Sequence, residues 1–338
     1  MTQPDSDLPF ISVVMPIYNE VAFIERSLGA VMEQDYPAER MEVLVVDGLS
    51  QDGTRDSVAE VAAHDGRVRL LDNPDRDQAS ALNIGIRLAQ GETIVRVDGH
   101  CLLPPHYLRT CVETLHQTGA DNVGGQMRSA GDTLLTQAIA AATNTPFATG
   151  GARFHFSTSP GEVDTVYLGA FRRSVFDRAG LFDPTAVPNE DYELNYRIRR
   201  SGGRVVYNPD IWATYYVRPS LFALLNQYFR YGRRKADIVW RYPGSTRPRH
   251  LAMPAYVATL LGALVASPFV PQARWLALAL AGAYLLGNLS VSFLTAARSV
   301  WHYLPWLPII FGIIHLSWGT GFLVRLVALP FSPRRQRQ

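Results

Sequence analysis

No aspartate or glutamate follows Asp237 in this chain of 338 residues, although the chain holds 30 acidic side chains in all. The stretch after it carries nine arginines (Arg241, Arg247, Arg249, Arg274, Arg298, Arg325, Arg334, Arg335 and Arg337) and no lysine, a formal charge of +9. Residues 1–237 hold the other 23 basic and all 30 acidic groups, a net charge of −7. Inside the carboxylate-free stretch, residues 251–270, 275–296 and 304–324 are nearly unbroken apolar runs. Each is close to the ~20 residues needed to cross a ~30 Å hydrocarbon core. Helices buried in a soluble domain would keep a polar face, and these runs have none. The near-neutral total of +2 therefore sums two unlike parts, and the second is expected to sit in a lipid bilayer.

The surroundings of the apolar runs agree with that expectation. Tyr256, Trp275, Trp301, Tyr303, Trp306 and Trp318 supply the amphipathic rings that favour membrane–water interfaces. Ahead of the runs, residues 220–240 set Leu221, Phe222, Leu224, Leu225, Tyr228, Phe229 and Ile238 against Arg230, Arg233, Arg234 and Lys235. Such a helix suits an anionic membrane surface. Seven basic residues between Arg230 and Arg249 place the front part on the cytoplasmic side of the membrane. Three complete spans would then carry Arg334, Arg335 and Arg337 across, against the same tendency. Two to three spans are expected, with His315, Ser317 and Gly319 marking the third run as the candidate re-entrant or interfacial segment.

The front part alternates short β-branched runs with helical patterns. Residues 11–15, 41–46, 68–71 and 93–97 read as strands, the first apolar enough to be buried on both faces. Residues 21–34 and 78–88 read as helices between them, so the rhythm predicts an α/β layer with a largely parallel sheet. Further on, 121–127 and 163–168 read as strands, 134–142 reads as a helix, and another helix starts after Asn189 as N-cap and runs to Gly202-Gly203. Residues 1–8 are polar and acidic, unlike a signal peptide. Two cysteines, Cys101 and Cys111, exclude a disulfide framework and show no metal-ligand spacing.

Ligands of such sheets bind outside the carboxyl ends of the strands. Those ends read Pro16-Ile17-Tyr18-Asn19-Glu20, Asp47-Gly48-Leu49-Ser50 and Asp98-Gly99-His100. No G-x-G-x-x-G follows the first strand and no P-loop occurs anywhere, which removes the usual dinucleotide and ATPase signatures. Carboxylates, a hydroxyl and an imidazole suit a ribose, a base edge and a divalent cation bridging phosphates. Asp98 and His100, two apart on an extended segment, would point to one side and offer Mg²⁺ or Mn²⁺ two ligands, with Gly99 leaving room for a bulky group. An ordinary strand-end turn explains Asp-Gly equally well. Helix capping also explains the carboxylates Glu190 and Asp191 in the first turn of their helix.

Taken together, ISVVMPIYNE, VVDGLSQDGT, the D-x-H after the fourth strand, Asn189-Glu190-Asp191 and Gln227-Tyr228-Phe229-Arg230-Tyr231 stand in the order and approximate spacing of family 2 glycosyltransferases. The resemblance covers about residues 9–235. It implies the inverting GT-A fold, a Rossmann-like and mainly parallel α/β sheet flanked by helices. The Asp-Gly-His variant and the trailing apolar runs look most like the succinoglycan-type glucosyltransferases of bacterial exopolysaccharide assembly. By the same resemblance, Pro16, Tyr18 and Glu20 line the nucleotide pocket, Asp47 reads the base, and Asp98 and His100 hold Mn²⁺ or Mg²⁺. Asn83 joins the donor-binding candidates. Asp191, beside Glu190, matches the catalytic base, and Gln227 and Arg230 match the segment facing diphosphate and acceptor. Gly48 stands where the family has a second Asp, His100 replaces an Asp, and Tyr231 stands where processive synthases carry Trp.

The organisation so implied is a tail at 1–8, a catalytic domain at 9–218, a basic amphipathic helix and linker at 219–249, a membrane region at 250–330 and a basic tail at 331–338. The implied activity moves a hexose such as glucose from a nucleotide-diphosphate donor, a UDP-sugar first, to a polyprenyl diphosphate-linked saccharide. The enzyme would be multi-pass in the cytoplasmic membrane, with no nucleic-acid partner. A polyprenyl-phosphate sugar synthase, a processive synthase and a non-catalytic nucleotide-sugar-binding scaffold are the competing readings.

Overall fold

A computed structural model describes residues 8–331. The N-terminal tail apart from Leu8, and the basic tail with Arg334, Arg335 and Arg337, lie outside the described residues. Leu8 itself is fully buried in the core.

In chain order the elements are β1 (Ile11–Ile17), α1 (Ile24–Met32), β2 (Met41–Asp47), α2 (Thr54–His64), β3 (Val68–Asp72), α3 (Gln78–Leu88), β4 (Thr93–Arg96), β5 (Cys101–Leu102), α4 (Tyr107–Thr118) and β6 (Asn122–Ala130). They continue with α5 (Leu134–Thr143), α6 (Pro146–Thr149), β7 (Gly161–Glu162), β8 (Tyr167–Arg172), α7 (Val175–Ala179), α8 (Glu190–Arg200) and β9 (Val205–Tyr216). The last four are α9 (Leu221–Arg241), α10 (Pro248–Ala266), α11 (Pro271–Arg298) and α12 (Leu307–Ala328). The chain forms two compact units. One runs up to Arg128 and resumes over Arg153–Tyr216; the other joins Ser129–Ala152 to the chain from Val217 onward. The excursion through α5 and α6, expected within a continuous domain at 9–218, thus groups with the apolar helices.

The first unit is one mixed sheet in the order β3-β2-β1-β4-β8-β6-β9-β5, with β7 also paired to β9. Pairing is parallel among β3, β2, β1 and β4, as the alternating rhythm predicts, and antiparallel at β4–β8, β6–β8, β5–β9 and β7–β9. Every residue of β1 and β2 is buried. Ile11, Val13 and Met15 join the cluster with α1, α2 and α4, whereas Val14 and Leu44 join the one with α3, α7 and α8. Period-2 alternation thus feeds two cores, one on each face. The strand expected at 163–168 instead occupies Tyr167–Arg172, because Gly169 is not a loop residue. Its φ of +115° and the Phe171 ring 2.7 Å from where a Cβ would stand require glycine inside the strand. The long strand β9 gave no apolar run, since Asn208-Pro209-Asp210 interrupts it and Asn208 Oδ1 accepts the Asp210 N–H at 3.0 Å.

The second unit is helical. The helices Pro248–Ala266, Pro271–Arg298 and Leu307–Phe331 are each long and apolar enough to cross a membrane. On α11, Trp275, Leu285, Leu286 and Phe293 are all more than half exposed, a surface suited to lipid. α12 is one continuous helix, and its His315, Ser317 and Gly319 are buried against protein. His315 Nε2 meets the Phe147 carbonyl at 2.8 Å and its Nδ1 meets the Tyr284 hydroxyl at 3.0 Å. Asn288 Nδ2 donates to the Pro308 carbonyl at 3.0 Å. Internal satisfaction of this kind is what a lipid environment demands of polar groups.

α9 is amphipathic as expected, yet it packs along α12. A Cβ on Gly232 would stand 2.1 Å from the Trp318 carbonyl oxygen, and one on Gly321 would stand 2.2 Å from the Phe229 carbonyl oxygen. Asp237, the last carboxylate, is paired with Arg325 of α12 at 2.6 Å. Gly232→Ala should therefore destabilise the detergent-solubilised protein by about 1–3 kcal/mol through overpacking. Gly262→Ala, with nothing within 4 Å of its added carbon, should leave thermal unfolding unchanged or slightly raised. Equal unfolding midpoints for the two variants would contradict this packing.

Candidate active site

A cleft of about 200 Å³ opens at the carboxyl ends of β1, β3 and β4, lined among others by Pro16, Tyr18, Glu20, Arg76, Asp98 and His100. Five of these six were expected from sequence, and the structure brings them together. β4 ends at Arg96, so Asp98 and His100 sit in a turn beyond the strand, yet both reach the cleft. Gly99 leaves no room for a ligand. An added Cβ would stand 2.7 Å from Ile17 Cγ2 and 3.2 Å from Glu20 Cγ, so the missing side chain lets the β1 loop close against the turn. His100 Nδ1 lies 3.0 Å from Glu20 Oε1, and its ring packs edge-on at 5.5 Å from Tyr215.

The other expected donor-binding residues, Asp47 and Asn83, do not line this cleft, and each bonds neighbouring protein groups. Asp47 is fully buried and does not line the cleft. Its carboxylate accepts from the Ser50 N–H and hydroxyl and from Arg55 Nη1, the last at 2.7 Å, which folds the loop after β2. That loop in turn holds the one after β1: the Asn19 N–H donates to Ser50 Oγ at 2.8 Å and the Glu20 N–H to Thr54 Oγ1 at 2.8 Å. Gly48 also has a steric reason, since a Cβ there would stand 3.0 Å from the Tyr18 ring. Asn83 is paired on both amide atoms with the Phe182 backbone, at 2.8 and 2.9 Å, and braces α3 against the segment after α7.

Asn189 occupies the N-cap position of α8, but its side chain makes no cap hydrogen bond. Asp191 is half-buried, and Glu190 is 2 % exposed. Arg96, for which the sequence reading held no role, joins these groups. Its Nε and Nη2 bond the Asp98 carboxylate at 2.8 and 3.2 Å, and its Nη1 bonds Glu190 Oε1 at 3.1 Å. Its place two residues before Asp98, directly after the apolar Ile94 and Val95, was the signal available. Arg76, exposed and with φ +58°, was hidden in a loop without periodicity. In the second unit, Gln227 is buried and donates to the Tyr231 hydroxyl at 3.0 Å, whereas Arg230 is exposed on α9.

The charges follow from this geometry. Burial pushes the Asp98 carboxyl up, but Arg96, with help from His100 and Gln78, outweighs it and holds Asp98 below the usual range. One guanidinium neutralises only one of two carboxylates. Glu190 is accordingly pushed up to about 7, by burial first and by the negative charge of Asp191 against the pull of Arg96. Asp98 and His100 fit a divalent cation of a particular kind. Among the described residues no three His, Cys, Asp or Glu side chains gather to hold a metal unaided. One carboxylate and one imidazole, with phosphate oxygens completing the shell, is instead the pattern of a cation carried with a diphosphate. Asp98 accepts three of its roughly four hydrogen bonds, which leaves a lone pair on Oδ2, and Glu20 on Nδ1 orients His100 as partners of metal-bound histidines do.

Residues 12–179 match the family model described as glycosyl transferase family 2. The succinoglycan biosynthesis protein ExoA of Rhizobium meliloti is 30% identical over 312 residues, 92% of this chain and 93% of that protein. The dolichyl N-acetyl-alpha-D-glucosaminyl phosphate 3-beta-D-2,3-diacetamido-2,3-dideoxy-beta-D-glucuronosyltransferase of Methanococcus voltae is 27% identical over 250 residues, 69% of this chain and 78% of that one. Among solved structures, the mannosyltransferase PcManGT of Pyrobaculum calidifontis, in complex with GDP-Man and Mn²⁺, superposes with a TM-score of 0.61 at 21% identity. The match covers 96% of this chain and 88% of that one, and it shows the GT-A-like fold.

A raised Glu190 binds its proton more tightly in the folded chain than in the unfolded one. The contribution of this group to stability is thus fully present below about pH 4.5 and is lost as pH rises towards 7. Glu190→Gln, which cannot ionise, should flatten the fall in thermal midpoint across that window. Superimposable midpoint profiles for wild type and variant would show that Glu190 does not titrate there.

Proposed function

This chain belongs to glycosyl transferase family 2, a glycosyltransferase of glycan biosynthesis with three membrane-compatible helices, and we propose that it transfers a hexose with inversion from a nucleotide-diphosphate sugar to a lipid-linked saccharide. The observation that carries this reading is the convergence of Tyr18, Glu20, Arg76, Asp98 and His100 on one cleft at the strand ends. Aromatic, carboxylate, guanidinium and imidazole groups there match a nucleoside, a ribose and a diphosphate in turn. A UDP-sugar is the first donor to test, and the GDP-mannose bound by the Pyrobaculum relative is the second.

In a single displacement the acceptor hydroxyl oxygen attacks the anomeric carbon as the bond from that carbon to the diphosphate oxygen breaks. Asp191, half-buried at the start of α8, takes the hydroxyl proton, and the nucleoside diphosphate leaves with the bonding electrons. Asp98 and His100 would hold Mn²⁺ or Mg²⁺, which supplies charge against the leaving diphosphate. Arg76 pairs with the phosphates from the cleft wall. One base and no nucleophile suffice for inversion.

The apolar helices suggest the acceptor. A soluble saccharide needs no bilayer, whereas one carried on a polyprenyl diphosphate resides there. The Methanococcus relative, by its name, acts on a dolichyl-linked sugar, and the Rhizobium relative on succinoglycan biosynthesis. The basic residues between Arg230 and Arg249 favour a catalytic unit on the cytoplasmic side of the membrane.

The test is nucleoside diphosphate release by the detergent-purified chain from a panel of UDP- and GDP-sugars, with Mn²⁺, Mg²⁺ or EDTA, and with or without a polyprenyl diphosphate-linked acceptor. Release should require both cation and acceptor. Asp191→Asn should slow it about 10²–10⁴-fold with donor binding retained. An active Asp191→Asn protein would point to attack by a lipid phosphate, which needs no base. Donor binding without release under any condition would favour a scaffold.

A further inference from the structure

Two groups on which the proposed reaction depends belong to elements that share no hydrogen-bond ladder. Asp98 follows β4, near the centre of the sheet, whereas Glu190 and Asp191 open α8, which is no part of the sheet. Backbone pairing therefore does not set the distance between them. The Arg96 side chain spans the gap. Arg96 is 7 % exposed, and its fork holds both Asp98 oxygens while its remaining terminal nitrogen holds Glu190, 94 positions further along the chain. Glu190 Oε2 is buried without a hydrogen-bond partner, so the bond from Arg96 to Oε1 anchors that carboxyl. Asp191, the next residue, lies close enough to Arg96 to act on it electrostatically.

We propose that Arg96 is a positioning residue whose one guanidinium sets the separation between the donor-side carboxylate Asp98 and the acceptor-side start of α8 that carries Asp191. The inference rests on the glycosyl transfer proposed above and adds a residue that touches neither substrate. Arginine is required because only its planar fork reaches two carboxylates in fixed directions; a lysine ammonium keeps the charge and loses the geometry. The separation matters because in-line attack needs leaving group and base in register, and a misplacement of ~1 Å can cost about 10²-fold in rate.

The experiment uses the full chain in detergent with two substitutions, Arg96→Lys and the isosteric Glu190→Gln, and their combination. Binding of UDP and GDP in the presence of Mn²⁺ is measured by calorimetry, and transfer by nucleoside diphosphate release, beside the thermal midpoint. Arg96→Lys should bind the nucleotide within about threefold of wild type yet transfer about 10²-fold more slowly, a loss in kcat and not in KM. Glu190→Gln should show the same split with a smaller loss. The double variant should be no slower than Arg96→Lys alone, because both act through one bridge. Wild-type turnover in Arg96→Lys, additive losses in the double variant, or binding and turnover falling together with the midpoint would each overturn the assignment. Should Arg96→Lys fail to fold, wild-type turnover in Glu190→Gln would overturn it alone. A wild-type chain that neither binds nor turns over any donor would remove the transferase reading and this inference with it. An active wild type indifferent to Arg96 would remove the inference only.

Discussion

The buried Arg96 guanidinium is the constraint around which the first unit is arranged. An ion near the centre of a sheet is tolerated only with opposite charges and hydrogen bonds close at hand. Asp98 lies two residues away and could be found locally, but the second carboxylate had to come from α8. Meeting that demand draws the start of α8 to the end of β4. Val14 of β1 pairs with Arg96 itself, and Ala170 of β8 pairs with the preceding Val95, so these two apolar neighbours offer the guanidinium no alternative partner. Stability and the layout of the site therefore have one cause.

A second node shapes the other side of the cleft. Asp47 is spent on Ser50 and Arg55, and Arg55 also bridges to Asp72 at 2.8 Å at the end of β3. The loops after β1, β2 and β3 are thereby tied at their bases, and Tyr18 lies against Gly48. This gives the Asp-Gly pair a physical meaning of its own. The carboxylate organises the loop, and the missing side chain beside it is the space that Tyr18 occupies.

The second unit answers a different solvent. Asp132 and Asp237 are its two carboxylates among the described residues, and Asp237 is spent on Arg325. α9 brings a basic face and an apolar face, and glycines on both partners let it approach α12 backbone to backbone. Polar side chains inside the apolar helices bond to carbonyls and to one another, so their lateral surface can be left to lipid. The same small-residue contacts that look incidental in the sequence are where the helices meet.

Much of this was legible in advance. The four parallel strands, helix Gln78–Leu88 and the three apolar helices follow from local periodicity and length, which survive folding because they are local. The strand-end position of Pro16, Tyr18, Glu20, Asp98 and His100 followed from the rule that places ligands at the carboxyl ends of strands. Whatever depended on partners distant in sequence was not legible. Asp47 and Asn83 carry side chains fit for a ligand, and only the tertiary structure shows that Asp47 also bonds Ser50 and Arg55 and that Asn83 also bonds the Phe182 backbone. Gly169 and Asn208-Pro209-Asp210 carry no strand signal of their own, and the strands through them are held by their partners in the sheet. Sequence alone determined the split between an acidic α/β part and a carboxylate-free apolar part, since solvent preference is a property of composition. Tertiary structure alone decided that Arg96 joins Asp98 to Glu190, because an ion pair across 94 positions depends on a burial cost that exists only once the sheet and α8 have closed around it.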